Sequence, residues 1–186
     1  MDGIIKSILF FAGLIVSIVW LSNNPYSWRK RIQFLKNPHT IIATVFETLV
    51  IYQLFGPPIF PLPRSIFTIP FQLLGLIIFI GATVFAIWAR FTMGKSWGMP
   101  AQHDIAIQKK LITSGPFCFT RNPIYVSLLL MFIGFELGLG SLLVVLVIPL
   151  YIIMYRSIIV EEKLLEKHFG NTYLHYKTRV PRFLFI

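Results

Sequence analysis

The stretch FTIPFQLLGLIIFIGATVFAIWA, residues 67–89, decides the fold class of this protein. It contains no charged side chain and is long enough to cross the hydrocarbon core of a bilayer, which takes about 20 helical residues. In lipid the backbone must satisfy its own hydrogen bonds, so we expect a transmembrane helix here. The apolar residues do not alternate with polar ones, as they would in a membrane β-barrel. The stretch therefore predicts an all-α integral membrane protein.

Four further apolar runs flank this stretch, at residues 4–21, 41–55, 123–137 and 141–155. The first lacks the basic start and the small-residue cleavage site of a secretory signal, so we expect a retained helix. The 186 residues are 56% hydrophobic and 13% charged, too apolar for an ordinary soluble domain. The sequence thus predicts a single membrane domain, residues 1–186, with about five transmembrane helices.

The basic residues predict the orientation of these helices. All of the 17 Lys and Arg except Lys6 and Arg64 lie on alternate connections or in the tail, which would share one side of the membrane. By the positive-inside rule that side is cytoplasmic, so we expect the N-terminus outside and the C-terminus in the cytoplasm. The net charge of +10 then reflects topology and attraction to anionic lipids. Nucleic-acid binding would need a soluble basic face with interleaved aromatics, which the sequence lacks.

Polar chemistry is concentrated in the second half of the chain. Residues 1–89 read as scaffold spans, whereas the connection from 90 to 121 is longer than a simple connector needs and is expected to be folded. It leads into Arg121, Asn122 and Pro123, where Asn122 is suited to cap a helix and Pro123 to its first position. Such a helix start can receive an anionic group. The alternative is an ordinary helix start whose Arg121 obeys the positive-inside rule.

A second candidate segment follows the fifth apolar run. Helical spacing places Glu161 on the apolar face of Leu165, whereas Glu162 and Glu166 share another face and are expected to be solvated. The alternative is an interfacial amphipathic helix with an ordinary acidic face.

Three other polar positions carry weaker signals. His103 and Asp104 have no third ligand at metal spacing, so no metal site is predicted. Glu47 is an intramembrane acid that can serve function or helix packing. Glu136, at the outer end of the fourth run, is expected to be exposed to solvent. The single Cys118 excludes an internal disulfide.

Several short motifs together resemble one enzyme family. They are LITSGPF at 111–117, RNPIY at 121–125, the Glu161–Glu162 pair, FGNTYLHY at 169–176 and RVP at 179–181. In this order they resemble the isoprenylcysteine carboxyl methyltransferase family, and phospholipid N-methyltransferases share much of the pattern. The resemblance covers about residues 88 to 186.

The resemblance implies a membrane methyltransferase that uses S-adenosylmethionine. Its pocket would lie under the cytoplasmic ends of the last two spans, closed by the long connection and the C-terminal helices. Arg156 and Glu161 would position substrate and cofactor. The cofactor-binding residues carried over are Gln102, Lys109, Leu111, Ile112, Phe117, Arg121, Asn122, Pro123, Tyr125 and Glu161.

The acceptor implied is an isoprenylcysteine-like or other amphiphilic molecule, met at the lipid bilayer. An ionised carboxylate needs no general base, and the sequence offers few bases, which favours carboxyl O-methylation.

Three positions depart from the family pattern. Asn122 stands where His is usual, and Phe117 where Tyr is usual. The usual substrate-positioning Arg is replaced by Ser157, and Arg156 is turned from that position by about 100°. Three alternatives therefore stay open: an amine or phospholipid N-methyltransferase, an NADPH-dependent membrane reductase of the sterol-reductase type, and a non-catalytic lipid-binding membrane protein.

Overall fold

A computed structural model describes residues 2–22, 38–57, 59–63, 67–96 and 110–184 of the protein. The regular structure of these residues is helical, apart from one isolated bridge between Pro61 and Ser141, so the all-α prediction is confirmed. The six α-helices are α1 (Asp2–Leu21), α2 (Pro38–Phe55), α3 (Thr68–Met93), α4 (Pro123–Leu139), α5 (Val147–Phe169) and α6 (Asn171–Arg179). Three short 3₁₀ helices, Gly94–Ser96, Gly115–Cys118 and Leu142–Leu146, flank α3, α4 and α5.

Three helical segments within the described residues are long and apolar enough to cross a membrane. They are Asp2–Trp20, Thr68–Met93 and Leu142–Phe169, which correspond to the first, third and fifth predicted runs. The helix α4 is apolar but shorter, at 17 residues. The count of five spans and their orientation remain predictions.

Helices α3 and α4 pack against each other through glycines. A Cβ atom added to Gly75 would lie 2.3 Å from the backbone nitrogen of Gly138, and one added to Gly134 would lie 2.5 Å from that of Phe79. Both distances are shorter than real contacts allow, so the two backbones touch directly. Small residues permit such close approach in membrane bundles, where dispersion and not the hydrophobic effect holds helices together.

The turn after α4 is hydrogen-bonded to residues 59–63. Leu62 N donates to Gly140 O at 2.7 Å, Leu142 N donates to Phe60 O at 2.8 Å, and the Ser141 hydroxyl donates to Ile59 O at 3.0 Å. Gly140 has a φ of +64°, a left-handed conformation that ends α4 and favours glycine. These bonds fix the C-terminal end of α4.

The prediction that Glu136 is exposed to solvent is wrong. Its side chain is fully buried and accepts a hydrogen bond of 2.9 Å from Gln53 Nε2 on α2, because α2 packs against this end of α4. Glu47, one to two turns earlier on α2, is exposed.

Candidate functional site

A cleft opens where the start of α4 meets the end of α5 and the helix α6. Its cavity volume is about 60 Å³, below the roughly 300–1,000 Å³ typical of small-molecule sites, and the cleft is open toward solvent. The residues that line it are Met93, Leu111, Ile112, Phe117, Arg121, Asn122, Pro123, Ile124, Tyr125, Glu161, Leu165, Tyr173 and Tyr176.

Most of the residues carried over from the resemblance meet in this cleft. Leu111, Ile112, Phe117, Arg121, Asn122, Pro123, Tyr125 and Glu161 all line it. Gln102 and Lys109 lie outside the described residues. The structure thus brings eight of the ten predicted cofactor residues together, while their binding role remains a prediction.

Arg156 does not line the cleft. It lies on the continuous helix α5, five residues before Glu161, so the two side chains point roughly 140° apart. Its side chain is exposed. Because α5 is regular here, nothing in its backbone brings Arg156 to the site.

Two tyrosines of α6 belong to the cleft although no individual role was predicted for them. Tyr173 and Tyr176 are buried three residues apart on one face of the helix, with ring centroids 6.0 Å apart. The Tyr176 hydroxyl donates to Phe117 O at 2.7 Å, which joins α6 to the segment before α4. Burial raises the pKa of both phenols above the usual tyrosine value, so both stay neutral. Their i, i+3 spacing was the signal available in the sequence.

Glu161 presents a carboxylate to the cleft. The Tyr125 hydroxyl donates to its Oε2 at 2.9 Å. Among the residues that the structure describes, no Lys, Arg or His forms a salt bridge with it. The predicted inward face of Glu161 is therefore seen, and the described residues provide no cationic partner for its carboxyl group.

Glu162 is buried, so the prediction that it is solvated is wrong. Its side chain accepts hydrogen bonds from Arg121 Nη2 at 3.0 Å and from Arg182 Nη2 at 2.8 Å. The hydrogen bonds that Arg182 donates to Glu162 raise the pKa of Arg182 above its ordinary value. The cause of the burial is the segment after α6, which folds back across α5 and brings Arg182 to the outer side of this carboxylate.

This returning segment, residues 180–182, is tied to residues 120–122. Arg121 N donates to Pro181 O at 2.9 Å, and the Thr120 hydroxyl donates to Arg182 O at 2.8 Å. Arg182 also donates to the Tyr155 hydroxyl and lies 5.2 Å from the centre of its ring, a cation–π geometry. These contacts join the residues before α4 to the returning segment and, through Arg182, to Tyr155 of α5.

Asn122 does not cap α4 with its side chain, contrary to the prediction. Its Nδ2 instead donates to Glu162 Oε1 at 3.3 Å and to Arg182 O at 3.2 Å. Both amide hydrogens are thus used within the protein, and the side-chain oxygen remains as an uncharged acceptor. No cluster of three or more His, Cys, Asp or Glu suited to a metal occurs within the described part of the chain.

A family model described as phospholipid methyltransferase matches residues 71–172. The match runs from α3 to the start of α6 and contains the Arg121–Tyr125 motif together with the Glu161–Glu162 pair of α5. No curated protein matches the chain significantly. The family is related to the isoprenylcysteine carboxyl methyltransferases, so the predicted membrane methyltransferase is confirmed at the level of the family. With more than half of its length matched, the chain belongs to the phospholipid methyltransferase family.

Proposed function

We propose that the protein is an S-adenosylmethionine-dependent membrane methyltransferase that O-methylates the carboxylate of an isoprenylcysteine-like or other amphiphilic acceptor. When bound, the cofactor supplies an electrophilic methyl group on a positively charged sulfur, next to an ammonium and a carboxylate. The observation that carries the proposal is the Glu161 carboxylate, which faces the cleft without a described cationic partner.

The cleft suits a cationic ligand. A carboxylate in a partly enclosed site gains most from a charge-assisted hydrogen bond, and an ammonium provides one. Four aromatic side chains line the same cleft, Phe117, Tyr125, Tyr173 and Tyr176, and aromatic rings attract cations within about 6 Å. The positive end of the α4 dipole, at Pro123 and Ile124, favours the carboxylate of the same ligand.

The ionisable groups of the cleft favour a carboxylate acceptor. Of the described lining residues, Glu161 and Arg121 are the groups that carry charge at neutral pH, and Arg121 is bound to Glu162. If Glu161 holds the cofactor, no lining residue is left to remove a proton from the acceptor. An acceptor that is already ionised needs none, and the chain then supplies alignment and shelter from water.

The family match supports a second candidate, the N-methylation of an amine on a phospholipid head group. This reaction requires the loss of a proton from the amine, to water or to Glu161. Both acceptors suit the exposed apolar surface of α5 beside the cleft, where Val160 and Leu164 can face lipid. In either case the proposed topology has five spans and a cytoplasmic cleft.

Calorimetry on detergent-purified protein tests the cofactor. We expect S-adenosylmethionine and its demethylated product to bind at micromolar concentration, Glu161→Gln to abolish binding, and Glu166→Gln to preserve it. Glu166 is a matched control because it lies on the same helix and pairs with the partly exposed Lys177. Binding of NADPH instead would indicate a reductase. A folded sample that binds neither would contradict an enzymatic role.

The acceptor is tested with a labelled methyl group. A prenylated cysteine with a free carboxylate should yield a base-labile methyl ester, whereas a phospholipid with a primary amine should yield a base-stable product. Transfer to the amine alone would overturn O-methylation and leave the cofactor assignment intact.

A further inference from the structure

A second buried carboxyl group lies far from the cleft. Glu136 is eleven residues after Tyr125 on α4, about 16 Å along the helix. Glu136 and Gln53 of α2 are both 0% exposed, and Gln53 Nε2 donates to Glu136 Oε1 at 2.9 Å. No step of the proposed methyl transfer uses this pair.

One oxygen of each side chain is left over. Gln53 Oε1 and Glu136 Oε2 are both buried, and neither has a hydrogen-bond partner among the described residues. The Ser141 hydroxyl lies within reach of the Glu136 carboxyl, but it has a single proton, which it donates to Ile59 O at 3.0 Å. Two buried acceptors without a donor, on side chains that are already hydrogen-bonded to each other, are costly, and buried polar groups in native proteins are nearly always satisfied.

Charged side chains on the surrounding elements do not neutralise Glu136. Lys6 on α1 donates to the backbone carbonyl of residue 56 at 2.6 Å, and Asp2 and Glu47 are exposed. Arg90 bonds to backbone carbonyls near the opposite end of α3. The charged residues of α5 lie from Arg156 onward, nine or more residues after the start of the helix that follows the Glu136 end of α4. Glu136 forms no salt bridge within the part of the chain that the structure describes.

We propose that this pair is a buried proton site, in which Glu136 is a neutral carboxylic acid joined to Gln53 by two hydrogen bonds. A single proton on Oε2 satisfies both leftover oxygens, because Oε2–H then donates to Gln53 Oε1 while Oε1 continues to accept from Nε2. A carboxylic acid and a carboxamide each offer one donor and one acceptor on the same edge, so the two groups close a ring. The ring fastens α2, which precedes the family-matched segment, to α4.

The test uses a substitution that retains the ring without a proton. Glu136→Gln keeps one donor and one acceptor, so its thermal unfolding midpoint in detergent should equal that of the wild type. Glu136→Met, of similar size, cannot form the ring and should lower the midpoint by several degrees. The exchanged pair Gln53→Glu with Glu136→Gln should also keep the wild-type midpoint, since the acid and the amide have only changed places.

Infrared spectroscopy detects the proton directly. The wild type should show a carboxylic-acid carbonyl band that is absent from Glu136→Gln, and this comparison holds even where Glu136→Met fails to fold. Absence of the band, or a Glu136→Gln midpoint as low as that of Glu136→Met, would overturn the proposal. A midpoint that rises with sodium or potassium in the wild type but not in Glu136→Gln would show a bound cation in place of the proton.

Discussion

Replacement of Glu162 by Gln removes the charge that two arginines share beside the cleft. Glu162 is 2% exposed and accepts hydrogen bonds from Arg121, Asn122 and Arg182. Glutamine retains one acceptor oxygen and places an NH₂ group where Arg182 Nη2 now donates at 2.8 Å. Both guanidinium groups would then share one neutral oxygen, and two donors would face each other.

The size of the effect follows from the exposure of the partners. Removal of one member of a buried ion pair costs about 3–5 kcal/mol, because a charge is left buried and unpaired. The side chain of Arg121 is 7% exposed and cannot turn to water, whereas that of Arg182 is 27% exposed and can do so in part. We therefore expect a loss near the lower limit, about 3 kcal/mol in the free energy of unfolding. For a chain of this size that corresponds to about 6–12 °C in Tm.

The measurement is thermal unfolding in detergent, followed by tryptophan fluorescence. Glu166→Gln is the control on the same helix, since its partly exposed pair with Lys177 is worth about 0–1 kcal/mol. Arg182→Gln should cost less than Glu162→Gln, because Arg121 would still neutralise the carboxylate. If the free energy of unfolding of Glu162→Gln lies within about 1 kcal/mol of the wild-type value, the inference that the ion pairs of Glu162 stabilise the contact between α4, α5 and residues 180–182 is refuted.

Three further outcomes are expected. Tyr125→Phe removes the hydroxyl that donates to Glu161 and should weaken S-adenosylmethionine binding about threefold to tenfold in calorimetry, while unchanged affinity would show that the hydrogen bond is incidental. Gly75→Ala should lower stability by about 1–3 kcal/mol or more in thermal unfolding because its Cβ meets backbone, whereas Gly81→Ala on the same helix, with open space, should be close to neutral. Burial raises the pKa of Tyr176, so the native state holds the phenol proton more tightly than the unfolded state. The free energy of unfolding should therefore fall as the pH rises above about 10, and Tyr176→Phe should make this fall less steep when unfolding midpoints are measured against pH.

The long apolar helices could be predicted because each needs nothing but its own composition to be recognised. Residues 68–89 of the predicted stretch fall within α3, and residues 4–21 fall within α1. The inward direction of Glu161 was equally accessible, since it follows from the period of one helix. Helical period also placed Leu165 on the same side, and it lines the cleft.

Glu162 and Glu136 could not be placed in this way, because their surroundings come from distant parts of the chain. Arg182 reaches Glu162 from beyond α6, twenty residues later, and Gln53 reaches Glu136 from α2, 83 residues earlier. Each carboxylate lies on a helix face for which the sequence of that helix alone does not show what covers it. Contacts of this kind depend on tertiary folding, which the period of a single helix does not encode.

The glycine contact between α3 and α4 has a mechanical consequence. Two backbones that touch have no side-chain layer to slide over, so α3 and α4 should move as one rigid body. One third of the most apolar window of α3 is buried, against 6% of that of α5, which is largely free of the bundle along its apolar length. The cleft thus has a stiff wall at α4, and α5 is joined to that wall by the Glu162–Arg121 ion pair. Any widening that admits a bulky ligand should therefore come from displacement of the apolar length of α5 that precedes Glu162, with the ion pair as the fixed point.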